Sequence, residues 1–284
     1  MHSYARLASI GLAAAALVAA TTSIADAADP VKYVNLGDSY SAGSGVLPLS
    51  SGINPLCAQS TKNWAHDVAA TKGYQLTDVS CGGAQTKDFY AGQYPGMAPQ
   101  LDAVAADTDV VTLTMGGNDN NTFISAILAC GSAGIATAGQ GNPCTKLYGD
   151  TFTKAINEKT YPALVKGLQA IKAKAPAAKV VISGYPWITP AKGGCFPQLP
   201  IASGDVPYLR NLQATLNSAV SRAAGATGST YVDLSAASAG HDACQAPGVR
   251  WVEPLLFTTQ FVPVHPNALG EQGMANAALA QAGL

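Results

Sequence analysis

Four short blocks along the chain carry side chains suited to chemistry: Gly37-Asp38-Ser39-Tyr40, Cys81-Gly82-Gly83-Ala84, Gly116-Gly117-Asn118-Asp119 and Val264-His265-Pro266-Asn267. In that order they offer a nucleophile, a backbone N–H donor, a side-chain amide donor and a base. Hydrolysis of an ester through an acyl-enzyme needs that set, because a hydroxyl must be activated and a developing oxyanion must be met by donors. Ser39 follows a strand-like run and precedes a Gly/Ser-rich stretch. It therefore suits the first turn of a helix, whose N-terminus favours negative charge; a plain N-cap is the other reading of that position. Gly83 lets the backbone approach a ligand with no Cβ in the way, although on its own it reads as a turn glycine. Asn118 can aim its amide at the oxyanion, and loss of one such donor typically costs about 10²–10³ in rate. Asp119 is expected to stabilise that loop through its backbone. His265, between Pro263 and Pro266, sits on a stiffened loop and is the expected general base. It would take the proton of Ser39 and return it to the leaving alcohol. His66 falls in a helical pattern and His241 in a cysteine-associated loop, so both read as structural.

The elements that must position these residues follow from apolar patterning. Five short β-branched or apolar runs read as buried strands: Lys32–Leu36, Leu76–Ser80, Asp109–Met115, Lys179–Ser183 and Thr230–Leu234. Helical patterns occupy Trp64–Thr71, Gln100–Ala105, Thr122–Ala129, Thr153–Lys174, Tyr208–Ala223 and Ala268–Ala282. Such alternation predicts an α/β fold with a parallel sheet covered on both faces. Right-handed crossovers then bring the C-terminal ends of all strands to one edge. Ser39, Gly83 and Asn118 follow the first three strands, and the loop carrying His265 can fold back to the same edge. With no repeats and no interior linker, residues 28–284 read as one domain.

Residues 1–27 read as an export signal: Arg6 begins it, Leu7 to Ala20 are apolar, and Ala25-Asp26-Ala27 is a small-x-small cleavage site. The expected compartment is extracellular, with no integral membrane association. A net charge of −1 with 48% hydrophobic residues gives no electrostatic case for nucleic acid, and a monomer is expected. Six cysteines in an exported chain suggest three disulfides, for which sequence alone permits 15 connectivities. Cys130 and Cys144 flank a Gly/Ser/Ala-rich stretch and are natural partners; Cys57 with Cys81 and Cys195 with Cys244 would then pin two further loops. No CxxC pair or His/Cys cluster suggests a metal, and no cofactor is implied. A GxSxG elbow is absent, which disfavours the α/β-hydrolase fold.

Taken together, Gly37-Asp38-Ser39, Gly83, Gly116-Gly117-Asn118-Asp119 and His265-Pro266-Asn267 resemble the four consensus blocks of the SGNH (GDSL) hydrolases. The chain looks most like their secreted bacterial lipase/esterase branch, and the resemblance covers nearly all of residues 28–284. It implies a flavodoxin-like three-layer α/β/α sandwich on a five-stranded parallel sheet. It also implies Ser39 as nucleophile, His265 as base, an oxyanion hole from Ser39, Gly83 and Asn118, and sequential pairing of the cysteines. One position departs from the pattern. Many members carry an Asp three residues before the histidine, where this chain has Val262. The expectation is a Ser39–His265 dyad supported by a main-chain carbonyl near Val262 or Pro263. The rival is a remote acid, Asp233, Asp242 or Glu253.

The stretch Tyr185 to Val206, with Trp187, Phe196, Leu199, Pro200 and Ile201, suits an apolar wall for an acyl chain, or a mere cover for the sheet edge. Phe89 to Met97 is a second candidate wall. The expected activity is hydrolysis of small-molecule or lipid fatty-acyl esters, with deacetylation of polysaccharide or small esters as the alternative. A binding protein on a decayed scaffold would lack one of the blocks, and all are intact.

Overall fold

The computed structural model describes residues 1–2 and 29–284, so the expected export signal lies almost wholly outside the described residues. The alternation of runs becomes a five-stranded sheet of β1 (Lys32–Gly37), β2 (Gln75–Asp78), β3 (Val110–Thr114), β4 (Lys179–Ser183) and β5 (Thr230–Val232). The strands lie in the order β2-β1-β3-β4-β5, and every pairing is parallel. That order is the flavodoxin-like doubly wound one, and its switch point falls between β1 and β3. Central position explains composition: all of β3 is buried, whereas edge strand β2 alternates exposed and half-buried residues.

Helices cover both faces. On one face α2 (Trp64–Lys72) and α8 (Ala268–Ala282) pack together, burying Trp64, Val68 and Met274. On the other, α6 (Tyr161–Lys174) and α7 (Val206–Thr227) lie side by side and join Leu164, Leu168, Ile171 and Val220 to Phe89, Leu113 and Ile182, with α3 (Phe123–Ala136) against α7. Each large apolar side chain so buried contributes about 1.5–3 kcal/mol. The remaining helices are short: α1 (Ser39–Ala42), α4 (Pro143–Tyr148) and α5 (Thr151–Ala155).

Several boundaries differ from the patterned reading, for local reasons. The Gly-containing stretch after Ala129 is helical, because α3 runs on to Ala136 with Gly131 and Gly134 facing residues 200–202. A Cβ on Gly134 would stand 2.1 Å from the Pro200 carbonyl oxygen, so glycine here serves close packing and not a loop. Cys130 therefore lies inside α3 and Cys144 inside α4. The long helix expected over 153–174 is divided into α5, a π-turn at Ile156–Thr160, and α6, which carries a proline in its first turn. The Gln100 helix is one 3₁₀ turn, Gln100–Ala103. Strand β2 ends early because the Asp78 carboxylate accepts from the Ser80 N–H at 3.0 Å and turns the chain.

The cysteines pair as Cys57–Cys81, Cys130–Cys144 and Cys195–Cys244.

Candidate active site

The turn out of β1 fixes the serine. Gly37 has φ +117°, and a Cβ there would lie 2.4 Å from the Thr114 carbonyl oxygen, so only glycine lets β1 turn against β3. Asp38 then caps α1, accepting from the Tyr40 N–H at 3.0 Å. Ser39 becomes the first residue of that helix and is 5% exposed. The base comes from the far end of the chain. His265 Nε2 stands 2.7 Å from Ser39 Oγ, and its Nδ1 is 2.7 Å from the Pro263 carbonyl oxygen. A carbonyl can only accept, so Nδ1 carries the proton and Nε2 presents its lone pair to the serine hydroxyl. Burial lowers the pKa of the imidazole, partly offset by the Pro263 carbonyl.

No remote carboxylate touches that imidazole among the described contacts. Asp233 accepts from the Ser235 N–H, and Asp242 from the Cys244 N–H and the Gln245 amide. Glu253 is buried with Arg250, whose Nε and Nη2 donate to it at 3.0 and 2.6 Å. It also accepts from Asn267 Nδ2 and the Thr259 N–H. Burial pushes the Glu253 pKa up, but Arg250, Asn267 and Thr259 together hold it down at about 2. Its backbone exchanges hydrogen bonds with the histidine loop: the Val264 N–H donates to Glu253 O, and the Glu253 N–H to His265 O. Glu253 is thus a clamp on the loop.

The donors converge from two further loops. Gly83, at φ +77°, makes no hydrogen bond through its N–H among the described residues. The peptide before it is fixed by Gln93, whose Nε2 donates to Gly82 O at 2.7 Å, and the trans geometry turns the Gly83 N–H the opposite way. One amide hydrogen of Asn118 goes to Ala84 O at 3.1 Å, leaving the second for a ligand. Asp119 holds its loop through the backbone, as expected, its N–H donating to Gly116 O and its carbonyl accepting from the Thr122 N–H and hydroxyl; its carboxylate adds a second role, accepting from the Thr86 N–H and hydroxyl at 2.8 and 2.7 Å. It ties the Asn118 loop to the Gly83 loop.

Sequence reasoning did not foresee Tyr185. Its hydroxyl donates to Asp38 Oδ2 at 2.5 Å and accepts from the Gly117 N–H at 2.8 Å. It thereby joins the nucleophile's cap to the residue before Asn118. Burial raises the Asp38 carboxyl to about 6, against the pull of Tyr185, Thr114 and the Tyr40 N–H. The other two described histidines that sequence placed in structure have other partners: His66 bonds Asn63, and His241 stacks on Trp251.

Of the two candidate walls, Tyr185, Ile188, Leu199, Ile201 and Phe89 are buried and complete the core, whereas Phe196 and Tyr90 are exposed and Trp187, Tyr94 and Met97 half-buried. Leu47, Phe257, Phe261 and Leu269 add further exposed apolar surface. Leu47, Phe261 and Leu269 line an open groove of about 640 Å³ between the segment after α1 and the segments flanking His265. Among the described residues no group of three or more His, Cys, Asp or Glu is placed to hold a metal ion.

A sequence model described as the GDSL-like lipase/acylhydrolase family matches residues 36–272. Lipase 2 of Streptomyces coelicolor is 58% identical over 275 residues, covering 95% of this chain and 93% of its own. Among solved structures, phospholipase A1 of Streptomyces albidoflavus NA297 superposes with a TM-score of 0.74 at 27% identity, covering 89% of this chain and 99% of its own. An extracellular lipase of Streptomyces rimosus gives a TM-score of 0.73 at 28% identity, with 88% and 99% covered.

Proposed function

The chain belongs to the GDSL-like lipase/acylhydrolase family, and from that premise we propose that it is a carboxylic ester hydrolase working through an acyl-enzyme on Ser39. The observation that carries the proposal is the 2.7 Å approach of His265 Nε2 to Ser39 Oγ, with Nδ1 held on the Pro263 carbonyl. As Ser39 Oγ attacks the acyl carbon, His265 Nε2 takes its proton. The carbonyl oxygen becomes an alkoxide, met by the N–H groups of Ser39 and Gly83 and the free amide hydrogen of Asn118. The imidazolium then gives its proton to the departing alcohol, and the C–O bond breaks. A water repeats the sequence on the acyl-enzyme, releasing the acid and restoring Ser39. Pro263 stabilises the imidazolium as a neutral dipole, in place of a carboxylate.

Fatty-acyl esters are the substrates the surface favours. The groove lined by Leu47, Phe261 and Leu269 flanks both segments that bear the nucleophile and the base, and no charged residue lines it. The named relatives act in the same direction: one is a phospholipase A1, the others lipases. Export fits the three disulfides, which persist in oxidising compartments, and the S. rimosus relative is extracellular. Among the described residues no helix is long and apolar enough to cross a membrane.

Turnover of p-nitrophenyl esters from acetyl to palmitoyl, with wild type beside Ser39→Ala, tests the reading. The expected result is activity that persists or rises toward long chains and is abolished in Ser39→Ala. Activity confined to acetyl overturns the fatty-acyl substrate, and turnover surviving Ser39→Ala overturns the site.

A further inference from the structure

We infer that Tyr40 is a positioning residue for the base: its hydroxyl holds Val264 in a left-handed backbone turn that aims the Pro263 carbonyl at His265. The inference rests on the proposed roles of Ser39 and His265. Three observations meet at one residue. Val264 has φ +61°, a conformation that a β-branched residue adopts only as an outlier, because its Cβ crowds the neighbouring carbonyl. It is the single residue between the carbonyl that accepts from the imidazole and the imidazole itself, Pro263 O and His265 Nδ1 being 2.7 Å apart. An extended residue there would carry the preceding carbonyl away from the following ring; the left-handed turn folds it back.

A turn of this kind persists only where its surroundings over-determine it. Both peptide groups of Val264 are engaged. Its N–H donates to Glu253 O at 3.0 Å, and its carbonyl accepts from Tyr40 Oη at 2.7 Å, in a buried bond spanning 224 residues. The Val264 side chain is 4% exposed, so packing closes the third direction. Tyr40 is also the residue after the nucleophile, and its ring lies 5.2 Å from the imidazole and 5.0 Å from the Tyr185 ring. The helix that presents the serine therefore also grips the loop that presents the base. Movement of one relative to the other would strain the Tyr40–Val264 bond and the Ser39–His265 contact together.

The test is steady-state hydrolysis of p-nitrophenyl acetate by Tyr40→Phe, Val264→Gly and the double variant, with thermal midpoints measured alongside. Tyr40→Phe keeps the ring and deletes the hydroxyl; it is expected to lose ~10-fold in kcat, as deletion of one buried hydrogen bond allows, with KM unchanged. Glycine takes positive φ with no Cβ to strain, so in the Val264→Gly background the same deletion is expected to cost little. An unchanged kcat in Tyr40→Phe overturns the inference. So does an equal loss in both backgrounds, which would mean that Tyr40 does not act through Val264. If Val264→Gly does not fold, the split between kcat and KM in Tyr40→Phe decides the matter alone. A Ser39→Ala control separates the two readings: turnover surviving in it refutes the site itself, whereas its loss beside an unchanged Tyr40→Phe refutes only the positioning role.

Discussion

At the scale of single residues, the imidazole is tuned by opposing influences of unequal size. Burial disfavours its charged form, and the Pro263 carbonyl restores only part of what is lost. A base must be neutral to accept a proton, and His265 is neutral above its pKa. With that pKa held below the ordinary 6.5, the working form survives to lower pH. The acid limb of the kcat/KM profile, which reports the free enzyme, is accordingly expected to have its midpoint below 6.5; a midpoint at or above that value would show that burial does not govern this half-buried ring. Ser39 and His265 were legible in the sequence because each sits in a short block whose neighbours, Gly37 and the paired prolines, announce a constrained turn. Tyr185 was not. Its partner Asp38 is 147 residues away, and a lone tyrosine after a strand has no local signature of a role in the site.

At the scale of elements, the loop before α8 is held by a buried ion pair acting on backbone. Arg250 and Glu253 have side chains only 2% and 1% exposed, and their attachment to Asn267 links the clamp to the cap of α8, where Asn267 accepts from the Leu269 and Gly270 N–H groups. Glu253→Gln leaves the guanidinium buried without its counter-charge, a change that costs ~3–5 kcal/mol. Urea unfolding at pH 7 is expected to show a loss of that size. If instead kcat fell by orders of magnitude at unchanged stability, Glu253 would be an acid serving the imidazole. The sign with pH follows from its low pKa: the clamp's contribution is present above the ordinary 4.5 and is lost as pH falls toward 2. Elements with clear boundaries were legible, β4 and α8 to the residue: β4 is a short buried β-branched run, and α8 opens on the Asn267 cap and stops at Gly283 in the left-handed conformation. The extension of α3 was not, since Gly134 answers to the Pro200 carbonyl oxygen and not to any local preference.

At the scale of the molecule, doubly wound topology brings Ser39, Gly83 and Asn118 to one edge of the sheet, and three disulfides pin the loops beyond it. In the loop-closure account a disulfide stabilises more the longer the loop it closes, growing as the logarithm of loop length, typically by about 2–4 kcal/mol. Cys195–Cys244 spans 49 residues, against 24 for Cys57–Cys81 and 14 for Cys130–Cys144. Paired Cys→Ala replacements are expected to lower the thermal midpoint most at Cys195–Cys244; a larger drop at Cys130–Cys144 would show that native packing, not loop closure, sets the order. Among the hydrogen bonds of the described residues, the longest reach belongs to the site itself, where the proposed nucleophile and base lie 226 residues apart. A growing chain therefore carries its serine and both donor loops long before it has a base. Until residue 265 has been added and folded back, no intermediate of synthesis holds both halves of the proposed dyad.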